Sequence, residues 1–176
     1  MDNIFEYFIK EPEKEFHVRK IAKLVKKSPT TVSKYLKELE KKRMLISEKK
    51  FNHLLFKANI EGREFKQAKL NYNVNLINDS GLIDYLVEEF NHPEAIVLFG
   101  SFAKAENINR SDIDLVIIGS SKKEIDLSKF EKELKCEIQL FIYSKKEIED
   151  MKKKNKELLN SFINGFVLYG HWEVFR

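Results

Sequence analysis

The stretch VLFGSFAKAENINRSDIDLVII, residues 97–118, constrains this chain more than any other part of it. An apolar run closes on Gly100-Ser101, ten residues follow, and a second apolar run then carries Asp112 and Asp114 on either side of Ile113. The first run reads as a short buried strand, and the Gly-Ser turn leads into about one helical turn, SFAKAE. Such a strand, tight turn and helix start aim backbone N–H groups at one point, which suits a phosphate. In the second strand, alternation places Asp112 and Asp114 on one face and Ile113 and Leu115 on the other. Two carboxylates about 7 Å apart repel each other and resist burial, so a folded chain keeps them where a cation or water reaches them. Mg2+ meets that demand with hard oxygen ligands. A strand end emerging into solvent meets it without a metal.

Charge divides the chain of 176 residues. Through residue 70 there are 18 Lys and Arg against 10 Asp and Glu, a net +8, whereas residues 71–176 hold 14 against 18, a net −4. A basic segment joined to a slightly acidic one predicts two small domains, the first meeting a polyanion. Cys136 is the single cysteine, which excludes an intrachain disulfide framework and fits a small apolar residue in a strand. No apolar run approaches a bilayer span, and the start lacks a basic stretch followed by an apolar signal core, so the expected location is cytoplasmic, with no membrane partner. The four His, at positions 17, 53, 92 and 171, are scattered and support no Ser-His-Asp hydrolase.

In the basic half, Ile4, Phe5, Phe8 and Ile9 share a helical face that Pro12 ends. Val18, Ile21, Ala22 and Val25 mark a second helix, and Ser28-Pro29 caps and opens a third. That third helix turns Val32, Leu36 and Leu39 inward and leaves Thr30, Thr31, Ser33, Lys34, Lys37 and Lys41 on or near the other face. LISEKKFNHLLFKANI then reads as two strands around a polar turn. This order resembles winged helix-turn-helix domains over roughly residues 1–60. The resemblance implies that the helix from Pro29 to about Lys42 enters a major groove of double-stranded DNA, with those hydroxyls and amines as its contacts. A solvated lysine face would look the same, and the fold also serves as a protein-docking module. Residues 61–79 read as helical at first and then less regular, and Ser80 as the cap of the helix GLIDYLVEEF.

Gly100-Ser101, ten residues and Asp112-Ile113-Asp114 together resemble the nucleotidyltransferase superfamily related to polymerase beta, and within it the minimal enzymes, from about residue 80 to the end. The predicted fold is α+β: a winged helix-turn-helix domain over 1–62, a linker helix over 63–79, and a small mixed-sheet nucleotidyltransferase domain with flanking helices over 80–176. The resemblance implies that Gly100 and Ser101 hold a nucleoside triphosphate and that Asp112 and Asp114 bind two divalent cations, Mg2+ or Mn2+. Lys104, Arg110 and Ser111 are supporting nucleotide contacts. It also implies a third carboxylate on a neighbouring strand, in KCEIQLFIY. Glu137 is the only acid there, and Gln139 falls where some relatives carry Asp. Glu137 is the expected third metal ligand, against the alternative of a lone acid on a solvated face. Ala105 stands where many relatives have Gly, which matters if that position needs positive φ. The expected activity is Mg-dependent transfer of an NMP, AMP in the first instance, to a hydroxyl acceptor, with a toxin-like partner protein as a candidate acceptor and a homodimer as the expected assembly. The alternatives are a transcriptional regulator whose transferase domain is catalytically silent and, with less support, transfer to an aminoglycoside.

Overall fold

The computed structural model describes residues 2–50, 53–119 and 122–174. The chain forms two compact units, Met1–Lys69 and Leu70–Arg176.

The first unit begins with α1 (Asp2–Lys10), β1 (Phe16–His17), α2 (Val18–Leu24), α3 (Pro29–Lys41), β2 (Leu45–Lys50) and β3 (His53–Ala58). β3 is central, with β1 and β2 antiparallel on either side. Residues 51 and 52, at the expected polar turn, lie outside the described residues. Ile4, Phe8 and Ile9 of α1 are buried, and Phe8 meets Phe16 edge to face with centroids 5.1 Å apart. Ser28 caps α3, its hydroxyl accepting from the Thr31 N–H at 3.2 Å, and Pro29 occupies the first turn, where a missing N–H removes no helical bond. Val32, Leu36 and Leu39 are buried. His17 caps α2 in the same way, its Nδ1 accepting from the Lys20 N–H.

Helix α4 (Arg63–Asp79) is helical throughout, which corrects the expectation of a less regular second half. The division between the units falls inside it. Ser80 does not act as the N-cap of α5 (Leu82–Glu89). That position is Gly81, at φ +73°, while the Ser80 hydroxyl donates to the Ile77 carbonyl and accepts from the Leu82 N–H.

The second unit continues with β4 (Ala95–Phe99), α6 (Gly100–Ala103), β5 (Ile113–Ile118), α7 (Ser128–Leu134), β6 (Ile138–Tyr143), α8 (Lys145–Lys154), α9 (Lys156–Ile163) and β7 (Phe166–Gly170). The sheet order is β6-β5-β4-β7, with β6 parallel to β5 and the other pairs antiparallel. β4 and β5 are apolar along nearly their whole length because the sheet is covered on both faces. One face packs Ile96, Leu98, Leu115 and Ile117 against α5 and α7; the other packs Val97, Phe99, Val116 and Ile118 against α8 and α9. No helix among the described residues is long and apolar enough to cross a membrane.

Candidate active site

The candidate site lies where β4 ends and β5 begins. Phe99 pairs with Asp114 across these antiparallel strands, so Gly100 follows directly beside the aspartate. Gly100 sits at φ +69°, in the left-handed region that L side chains avoid. A Cβ built there would fall 2.0 Å from Asp114 Oδ2. Glycine is therefore required twice, for the turn and for the carboxylate packed against it. The turn delivers the chain into α6, whose first N–H groups have no partners within the helix.

Asp114 is half-buried, and its carboxyl pKa is raised, first by burial and then by the charge of Asp112. Neighbouring β6 brings Gln139 level with Asp114 in the parallel register. The Gln139 amide reaches across and donates from Nε2 to Asp112 Oδ2 at 2.7 Å. The structure thus gathers Gly100, Ser101, Asp112 and Asp114 at one corner of the sheet, with Gln139 completing it. Glu137 is not gathered with them. It precedes β6, its side chain is exposed, and its carbonyl accepts from the Ile113 N–H. Among the described residues, no three His, Cys, Asp or Glu form a group that could hold a metal ion.

The supporting residues divide. Lys104 and Arg110 are exposed. Ser111 is committed to a turn: its hydroxyl accepts from the Ile108 N–H at 2.9 Å, and its own N–H donates to the Ile108 carbonyl. Ala105 does adopt positive φ, at +58°, and is buried. There it closes α6, with its N–H on the Phe102 carbonyl and the Glu106 N–H on the Ser101 carbonyl, a helix end that ordinarily selects glycine. The nearby Cys136 thiol is pushed up to about 11 by burial, then by Asp112 and Glu131, which keeps it protonated near neutrality.

Two residues that sequence reasoning passed over hold the loop between α6 and β5. Asn73 and Asn107 are buried and exchange amide hydrogen bonds at 2.9 and 3.3 Å, and Asn73 Nδ2 also donates to the Phe102 carbonyl at 2.9 Å. One signal was available. NYNVN sets three Asn in the middle of a helix, where Asn is unfavourable unless its amide has a partner.

In the first unit, Thr30, Thr31, Lys34, Lys37 and Lys41 are exposed along α3, while Ser33 is half-buried. The Thr31 hydroxyl also shares a 2.8 Å hydrogen bond with Ser28, which ties it to the helix cap.

Residues 80–173 match the family described as Polymerase beta, Nucleotidyltransferase. Comparison with curated proteins and with solved structures gave no match.

Proposed function

From the chain's membership of the polymerase beta nucleotidyltransferase family, we propose that its second unit binds a nucleoside triphosphate, ATP in the first instance, and transfers the NMP to a hydroxyl acceptor. The observation that carries this is the seating of Asp114 against Gly100, which places a carboxylate beside a helix start able to bind phosphate. Gly100 and Ser101 hold the triphosphate through backbone N–H groups. Lys104 and Arg110 are exposed on the segment between them and the aspartates and add positive charge from solvent. Ser111 and the Asn73–Asn107 pair act indirectly by fixing that segment.

The family resemblance implies two divalent cations. Asp112 and Asp114, both half-exposed, fit one divalent cation, Mg2+ or Mn2+. They do not fit two, because among the described residues no third carboxylate joins them in a group that could share the ions. A cation bound by Asp112 and Asp114 would supply neutralising charge for the triphosphate. In the transfer, the acceptor oxygen bonds to the α-phosphorus as the bond to the β-phosphate bridge breaks, releasing pyrophosphate and a proton. A partner protein of the toxin type is the proposed acceptor.

The first unit is proposed as a winged helix that binds double-stranded DNA through α3. The order α1-β1-α2-α3-β2-β3, the three-stranded antiparallel sheet and the exposed α3 lysines support this. Gln139 in place of an acid favours a second reading, a DNA-binding regulator that binds nucleotide without turnover. Incubation of the full chain with Mn2+, α-labelled ATP and cell extract separates the two. Labelled acceptor that disappears in Asp112→Asn/Asp114→Asn supports transfer. Nucleotide binding without label transfer supports the regulator.

A further inference from the structure

We propose that Gln139 limits this site to a single divalent cation, so that the nucleotide is held with one ion rather than two. The inference rests on the reading of the corner as a nucleotide site and concerns the strand on which that reading is least complete. β6 runs parallel to β5, and Gln139 is the residue paired with Asp114, so its side chain emerges on the same face at the same level. A carboxylate there would lie within reach of both aspartates and could bridge two cations. The amide cannot do the same work. It is neutral, it offers one carbonyl oxygen at most, and its N–H occupies a lone pair of Asp112 Oδ2 at 2.7 Å.

Charge reinforces the geometry. Two adjacent divalent ions repel strongly, and sites that hold them about 3.5–4 Å apart do so with bridging anionic ligands. Asp112 and Asp114 supply two negative charges between them, enough to hold one ion together with the phosphates of its nucleotide. Glu137 precedes β6 and is exposed, and among the described residues it joins no three-acid group that could hold a metal ion. The backbone is otherwise suited to a third acid: Glu131 Oε1 accepts from the Ile138 N–H, and the Glu137 carbonyl accepts from the Ile113 N–H, so the start of β6 is fixed on both sides. A single change of side chain therefore separates the one-ion from the two-ion arrangement.

The test counts ions rather than turnover. Mn2+ bound per full-length chain is measured by electron paramagnetic resonance in the presence of saturating ATP, for the natural chain, for Gln139→Asp and for Asp112→Asn/Asp114→Asn. The proposal expects one Mn2+ in the natural chain and two in Gln139→Asp. It also expects Gln139→Asp to melt at lower temperature than the natural chain without metal, because three carboxylates then share the corner, and to regain that loss with Mn2+. Two ions in the natural chain would overturn the proposal while leaving the nucleotide-site reading intact. No ion above the double-Asn background would overturn both. One ion in a Gln139→Asp chain with a native circular dichroism spectrum would show that residue 139 does not set the number.

Discussion

Asp114 has two neighbouring strands, and they define the candidate site in different ways. On the β4 side, Gly100 is imposed by the backbone: its φ of +69° and the 2.0 Å approach of Asp114 Oδ2 to a built Cβ leave no room for another residue. On the β6 side, the backbone is equally well placed, with Gln139 in register with Asp114, but the chemistry depends on which side chain stands there. One side tolerates a single residue because of space. On the other, Gln139 is exposed, so space does not dictate the residue.

The largest effect is expected on the β4 side. Gly100→Ala forces a methyl group into Asp114 and a non-glycine residue into the left-handed region. Overpacking and backbone strain together should cost about 2–4 kcal/mol, read by urea denaturation, and nucleotide binding should be lost. A variant as stable as the natural chain would remove the contrast between the two strands.

Asn73→Ala should come next. It strips partners from the buried Asn107 amide and the Phe102 carbonyl, which predicts a loss of about 2 kcal/mol. A double-mutant cycle with Asn107→Ala should show strong non-additivity, since the two amides bond each other. Additive losses would mean that the pair does not act as one unit in holding the loop.

Ala105→Gly tests the other positive-φ position flanking α6, in the opposite direction. Relief of left-handed strain at φ +58° should stabilise the chain by about 1 kcal/mol, visible as a higher midpoint in urea. Unchanged stability would show that the loss of the buried methyl group offsets the relief.

The smallest effect concerns pH. Glu147, in the capping box that starts α8, is held down to about 2, first by Lys122 and then by Ser144. Its folded pKa lies below the ordinary Glu value of about 4.3, so its contribution is complete above that value and is lost as pH falls towards 2. Glu147→Gln should flatten the dependence of melting temperature on pH within that window and melt slightly lower near neutrality, where the Glu147 contribution is complete, the two chains converging as pH falls towards 2.

How much of this could be read from the sequence depended on whether a residue's role was local. Ser28-Pro29 and the 3.6-residue period of Val32, Leu36 and Leu39 define α3 without reference to any other element. Gly100 and the Asp112–Asp114 alternation were equally legible, being set by a turn and a strand. The second half of helix α4 is less legible because the stripe the helix buries is Phe65, Lys69, Asn73 and Ile77, two of them polar, so hydrophobic periodicity is a poor guide there. The Asn73 amide finds its partners 29 and 34 residues away, which no local pattern encodes. The choice between Glu137 and Gln139 is not local either. Glu137 precedes β6 and Gln139 lies in it, and only the pairing of β6 with β5 sets Gln139 beside Asp114.

The groove-binding reading of α3 has its own measure. Anisotropy of labelled duplex DNA with the full chain should fall steeply as salt rises, and Lys34→Ala/Lys37→Ala should reduce the slope of log K against log salt by about 2, one for each lost phosphate contact. An unchanged slope would point to a protein-docking role for this unit.

The central claim, that Asp112 and Asp114 beside Gly100 form a nucleotide–metal site, is tested most directly by calorimetric titration of ATP into the full chain with and without Mg2+. The account predicts binding that is much tighter with Mg2+, and loss of that dependence in Asp112→Asn/Asp114→Asn with the fold preserved. Equal Mg2+-dependent binding by the natural chain and the double variant would contradict it.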